Sequence, residues 1–188
     1  MQPALAEAEA QLRQAFASAL QAAWPGSHWT VQTFVPSPAA KSAETASDVT
    51  AGDRSLVRSG QSSLVLLSLR DLNDRPLKGD MSYRLRIPAN VPVRQFWSLD
   101  VYDRATLGYI LKSPRVSLAA NATLKSNADG SIDPYFGPQA PADQEPNWIY
   151  TAADREWFAV LRCNGPAPPR LETTWRLPDI EPLDTAAR

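Results

Sequence analysis

Hydrophobic positions recur along this chain with two different periods. Leu5, Ala8, Leu12, Phe16, Leu20 and Trp24 fall at three- and four-residue spacing, while Glu7, Gln11, Arg13, Gln14 and Gln21 lie mostly on other faces. That spacing predicts an amphipathic helix, ended at "WPGSH" because Pro25 disfavours helical geometry at Trp24 and Gly26 favours a turn. From His28 the period drops to two, and "HWTVQTFV" (28–35) predicts a strand. Residues 36–60 are small, polar and Ala-rich with no sustained period, apart from a candidate short helix between Ser47 and Gly60, and predict a weakly ordered linker.

Strand-like segments then follow in series: "SSLVLLSL", "MSYRLRI", "VRQFWSLDVY", "GYILK", "VSL", "SIDPYF", "WFAVLRC" and "RLETTWRL". Turn-forming clusters such as "RDLNDRPLKGD", "KSNADG" and "GPQAPADQEP" separate them, and most of the 17 prolines lie in these connections, as expected of a residue that cannot donate to a sheet ladder. The pattern predicts a mainly β protein, an antiparallel β-sandwich of jelly-roll type with one N-terminal amphipathic helix. It divides into a helix (1–26), a strand, linker and first core strand (27–68), a β-sandwich domain (69–182) and a tail (183–188).

Composition narrows the partners more than the fold. The 188 residues are 44% hydrophobic and 21% charged, with a formal net charge of -1, so there is no basic footprint for nucleic acid. The longest wholly apolar run is "LVLL" (Leu64 to Leu67), far short of the roughly 20 residues of a membrane span. The first residues lack the basic start and unbroken apolar stretch of a secretory signal, which favours a soluble, cytoplasmic setting. The helix's apolar stripe needs a cover, either the domain or a second copy in a homo-oligomer.

Candidate chemistry is sparse. His28 is the only histidine and Cys163 the only cysteine, so a multi-histidine metal site and an internal disulfide are both excluded. No phosphate loop, dinucleotide fingerprint or nucleophile elbow occurs, and no cofactor is expected. His28 is expected to cap or face solvent, and Cys163 to be a buried structural thiol. "NADGSIDPYFGP" (127–138) carries three acidic or amide oxygens donors, too few for a calcium loop, and "ADG" is a strong turn former, so a hairpin is expected and no metal.

In "WSLDVYDR", alternation puts Trp97, Leu99 and Val101 on one face and Ser98, Asp100 and Tyr102 on the other. The candidate catalytic groups are therefore Asp100, Tyr102, Asp103 and Arg104, with Tyr135 from a separate strand, because strand ends present polar groups at a sandwich rim. Trp148, with Asn147 beside it in "EPNWIY", is the candidate ligand platform for a saccharide, since it lies outside a clean strand period. Trp97, Trp157 and Trp175 read as core.

From Leu69 to about Pro182 the chain resembles the bacterial family called domain of unknown function 1214. The matching stretches are "RPLKGDMSYRLRIP", "VRQFWSLDVYD", "LKSNADGSIDPYFGPQAP", "EPNWIYT", "WFAVLRCNGP" and "TWRLPDIEP", in the family's order and spacing. The resemblance implies a jelly-roll sandwich and no settled activity. Asp100 departs from the family's usual hydroxyl or apolar residue, and Pro134 from an apolar strand residue, which should shorten the strand beginning at Ser131. The companion module numbered 1254 is not apparent. The leading expectation is a binding or assembly module for a small organic ligand or saccharide, and the alternative is a hydrolase or lyase/cyclase using carboxylate and tyrosine groups.

Overall fold

Ten short strands and one 3-10 turn are present in a computed structural model of the protein, which describes residues 20–32, 63–110, 113–120, 122–167 and 174–183. The strands are β1 (Leu20–Ala22), β2 (Trp29–Gln32), β3 (Ser63–Ser68), β4 (Tyr83–Arg84), β5 (Trp97–Asp103), β6 (Ser117–Ala119), β7 (Tyr135–Gly137), β8 (Trp148–Tyr150), β9 (Trp157–Asn164) and β10 (Glu181–Pro182). Six form an antiparallel sheet in the order β1-β2-β3-β9-β5-β6, and four form a second sheet in the order β10-β4-β7-β8. The protein is mainly β with almost no helix among the described residues.

Period-two alternation explains the core. In β3, β5 and β9 the inward positions are Leu64 and Leu66, then Trp97, Leu99 and Val101, then Trp157, Ala159, Leu161 and Cys163, and register aligns them in rows such as Leu66, Leu161 and Leu99. The second sheet contributes Tyr83, Phe136 and Ile149 to the same buried cluster. Trp157 joins the two sheets: its ring stacks on Phe136 at 4.8 Å and meets Tyr83 edge-on at 5.6 Å. Aromatic pairs of this kind add roughly 0.5–1.5 kcal/mol each beyond the area they bury. Behind them, Gly79 passes so close to the 151–155 segment that a Cβ there would lie 1.8 Å from the Ala152 carbonyl oxygen.

The expected strands at 62–69, 93–102 and 157–163 are all present, and several expectations need correcting. The N-terminal helix lies mostly outside the described residues, but its last part, Leu20–Ala22, is β1 and pairs antiparallel with β2. A stretch of three residues is too short for its own periodicity to decide, and pairing with Thr30–Gln32 overrides the helical spacing. The linker 36–60, with its candidate short helix, and the tail from 184 also lie outside the described residues.

The second sheet is mixed, not antiparallel, because β7 and β8 run parallel. Asn147 supports that register: its Nδ2 donates to the Asp133 carbonyl, tying the residue before Trp148 to the approach to Tyr135. The described part of "GYILK", 108–110, supplies a bridge, Tyr109 to Tyr102, and the described part of "RLETTWRL" is not a strand, although Trp175 is buried. Trp148–Tyr150 and Glu181–Pro182 are strands that were not expected. "SIDPYF" does break at proline: Ile132 makes a bridge, and β7 begins only after Pro134. No described helix is long and apolar enough to cross a membrane.

Candidate functional site

The outward face of the β5–β9 pair carries the densest polar network among the candidate residues. Register places Ser98 opposite Arg162, Asp100 opposite Val160 and Tyr102 opposite Phe158. Alternation that sends Leu99 and Val101 into the core therefore sends Asp100 and Tyr102 outward, where the cationic side chain of β9 reaches both.

Asp100 is 5% exposed, accepts a hydrogen bond from the Ser98 hydroxyl at 3.0 Å, and lies 3.4 Å from Arg162 Nε. Arg162 Nη2 donates to the Tyr102 hydroxyl at 2.6 Å, and the Tyr102 and Tyr109 hydroxyls are hydrogen-bonded to each other at 3.1 Å. The rings follow the same line. Tyr102 stacks on Phe158 at 5.4 Å and on Tyr109 at 4.6 Å, while the guanidinium carbon lies 5.8 Å from the Tyr102 centroid. Phe158 also belongs to a second apolar cluster with Leu67 and Val160, flanked by Leu107.

Charges in this network are held in one state. The hydrogen bond with Tyr102, then burial, then the Asp100 charge push the Tyr109 hydroxyl up to about 12, so it keeps its proton at neutral pH. Burial works against the Arg162 charge, but the Tyr102 hydroxyl and Asp100 outweigh it and raise its pKa, so it remains a cation.

Asp103, at the end of β5, faces inward and serves the turn that returns Tyr109 to Tyr102. Its Oδ1 accepts from the Ala105 and Thr106 amides at 2.9 and 2.8 Å and from the Thr106 hydroxyl at 3.2 Å, and Arg155 donates to Oδ2 at 3.0 Å. Burial opposes its charge, but the Thr106 amide, Arg155 and the Thr106 hydroxyl win and hold its carboxyl below the usual range. Arg104 pairs with Glu156 at 2.8 Å. Both side chains line an open hollow of about 680 Å³ with Asp154 and Arg155, lined by both signs of charge.

The remaining candidates are elsewhere. Tyr135 is in β7 of the other sheet, between Arg84 and Trp148. Asn147 is 2% exposed and its amide is committed to backbone, accepting from Lys125 N and donating to the carbonyls of Lys125 and Asp133. Trp148 opens β8, half-buried, with its indole N–H on the Gly137 carbonyl at 3.0 Å and its ring edge-on to Tyr150. Asp100 and Tyr102 are thus brought together, Asp103 and Arg104 form a neighbouring group, and Tyr135, Asn147 and Trp148 stand apart from both.

Two residues of the network were missed in the sequence. Arg162 had a signal, as the one charge inside the otherwise apolar strand "WFAVLRC". Tyr109 had none, because only the Asp103 turn brings it back beside Tyr102.

The other singled-out residues have structural partners. His28 Nδ1 is 3.0 Å from Asp179 and Nε2 is 3.4 Å from Asp74. Cys163 is fully buried, and burial pushes its thiol up to about 12. Residues 127–131 form the hairpin turn: Gly130 N donates to Asn127 O with Gly130 at φ 79°, and Asn127 N donates to Ser131 O. Asp129 caps that turn through the Ser131 amide and hydroxyl and pairs with Arg86. No group of three His, Cys, Asp or Glu among the described residues is arranged to hold a metal ion.

Comparison with other proteins gives a family and a fold. A family model described as protein of unknown function (DUF1214) matches residues 62–168. The crystal structure of the VPA0106 protein from Vibrio parahaemolyticus is similar, with 21% identity and a TM-score of 0.57 over 65% of this chain and 31% of that one. An uncharacterized protein from Burkholderia cenocepacia aligns at 18% identity and a TM-score of 0.43, over 71% and 33%. The chain spans about a third of the length of both structures. No curated protein matches.

Proposed function

Since the chain belongs to the DUF1214 family, whose description carries no activity, we propose a function from its own geometry: it is a binding module that takes a small organic ligand on the outward face of β5 and β9. The observation that supports this is an exposed cation beside an exposed ring: the Arg162 side chain is 40% exposed, and Tyr109, linked through the Tyr102 hydroxyl to the same guanidinium, is 49% exposed. Arg162 Nη1 has no hydrogen-bond partner among the described residues and is a donor open to an acceptor.

The scaffold under this reading is a β-sandwich of jelly-roll type, supported by two sheets that share one buried cluster. Binding is favoured over a hydrolase or lyase/cyclase because the proposed catalytic groups are dispersed and poorly tuned. Acid/base catalysis needs a group that changes protonation near working pH, whereas Tyr109 is pushed up and Asp103 is held down. The outward face is also favoured over Trp148, since Asn147 beside it has its amide engaged by backbone.

Ligand-observed NMR tests the reading, using the full chain against a panel of small carboxylates, monosaccharides and neutral aromatics. At least one compound is expected to bind wild type and to be lost in Arg162→Gln with the circular dichroism unchanged. Binding that ignores Arg162→Gln would place the ligand elsewhere, and turnover of a panel compound that vanishes in Asp100→Asn would make the protein an enzyme.

A further inference from the structure

The outward face of the large sheet holds an apolar patch that no described strand covers. Register places Ala22, Thr30, Leu67 and Val160 in one outward row across β1, β2, β3 and β9, with Phe158 two residues along β9 from Val160. All ten described strands belong to the two sheets, and the smaller sheet packs on the opposite face, in one cluster with Leu66, Leu99 and Leu161. Even so, Leu67 and Phe158 are only 4% exposed and Val160 only 3%. Tyr102 and Leu107 pack against this cluster from the β5 side, which leaves the β3 side to another cover. A sheet face that met water would alternate to polar residues here, so an apolar row calls for a further layer. These exposures belong to a single chain, and no second copy is needed to produce them.

The place of Leu20 indicates which segment supplies that layer. This first residue of β1 packs against the same cluster, so the residues just before it start at the border of the patch. Three strand spacings separate β1 from β9, about 14 Å in all. A helix spans that distance with roughly ten residues, and residues 1–19, outside the described part of the chain, are long enough. They also carry the matching surface, since Leu5, Ala8, Leu12 and Phe16 recur at helical spacing and lead to Leu20. Residues 36–60 have no sustained apolar period to offer.

We propose that residues 1–19 form an amphipathic helix that docks across the outward face of β3 and β9, with its apolar stripe on Leu67, Val160 and Phe158. The docked helix closes the apolar part of this face and stops short of Arg162, whose side chain is 40% exposed. The proposal is separate from the binding function above and holds whether or not a ligand binds beside it.

A nitroxide attached to Gln14→Cys, on the polar side of the stripe, tests the docking in the full chain; the buried Cys163 stays unlabelled. In the isotope-labelled protein, the amide signals of Leu67 and Val160 are expected to broaden more than those of Tyr83, Phe136 and Ile149 in the smaller sheet. Equal broadening of the two sets, or none, overturns the proposal. A mixture of isotope-labelled chain without nitroxide and unlabelled chain carrying it reports on a second copy. Broadening of Leu67 and Val160 in the mixture as strong as within one chain makes the partner copy the cover and also overturns it. Leu12→Asp combined with Phe16→Asp puts charge into the stripe and should brighten the fluorescence of an apolar dye several-fold, by uncovering the patch. An unchanged dye signal refutes the docking, and the nitroxide measurement decides without any such disruption.

Discussion

The two faces of the β5–β9 pair come from the same fifteen-residue ribbon of backbone hydrogen bonds and differ in everything else. Inward, Trp97, Leu99, Val101, Trp157, Ala159, Leu161 and Cys163 are all buried and apolar. Outward, Ser98, Asp100, Tyr102 and Arg162 form a hydrogen-bonded network beside the apolar Phe158 and Val160. The inward face binds the two sheets into one cluster. The outward face presents donors, so a substitution on one face is expected to act on stability and on the other mainly on binding.

Trp157→Ala tests the inward face most severely. It removes a fully buried ring and both of its aromatic contacts with the second sheet, and large-to-small changes at such sites cost about 3–5 kcal/mol. Urea unfolding measures the loss, and a change under about 1 kcal/mol would mean that the contact between the sheets is not a source of stability.

Asp103→Asn lies between the two faces in size and in place, because this inward carboxylate organises the turn that presents Tyr109. Its hydrogen bonds are charge-assisted and worth about 1.5–3 kcal/mol. Because its native pKa is lowered, its contribution is complete above the ordinary aspartate value of about 3.9 and is lost as pH falls through the lower native value. The stability gap between wild type and Asp103→Asn should therefore be full near neutral pH and close in acid. A gap that stays constant with pH would show that the charge is not what matters.

Tyr109→Phe should have the smallest effect on stability. It removes one exposed hydroxyl and leaves the stacked ring, so the unfolding free energy should stay within about 0.5 kcal/mol of wild type. A larger loss would make the network a stabilising device and erase the contrast between the faces.

The inward face was legible in the sequence and the outward network was only half so. Alternation in "WSLDVYD" and "WFAVLRC" is a local property, and it identifies Leu99 and Val101 as core and Asp100 and Tyr102 as their opposites. The partner of Asp100 is 62 positions away, and only the strand register sets Arg162 beside it. The turn at Asn127–Ser131 and the break at Pro134 were readable because glycine and proline act on their own backbone. β1 was not, since a three-residue strand is decided by its neighbour β2, and neither was the parallel run of β7 and β8, which depends on tertiary ties such as that of Asn147.

The position of β9 in the large sheet also governs how the chain must assemble. It is the last of that sheet's strands in sequence, yet it lies between β3 and β5 and pairs with both along its length. Until residues 157–164 are available, β3 and β5 have no common partner. Sheet closure of this kind depends on contacts between distant parts of the chain, which slows folding and prolongs the exposure of unpaired strand edges. The central strand is thus the last to be synthesised of the six, and truncation before it removes the keystone of the sheet instead of trimming its margin.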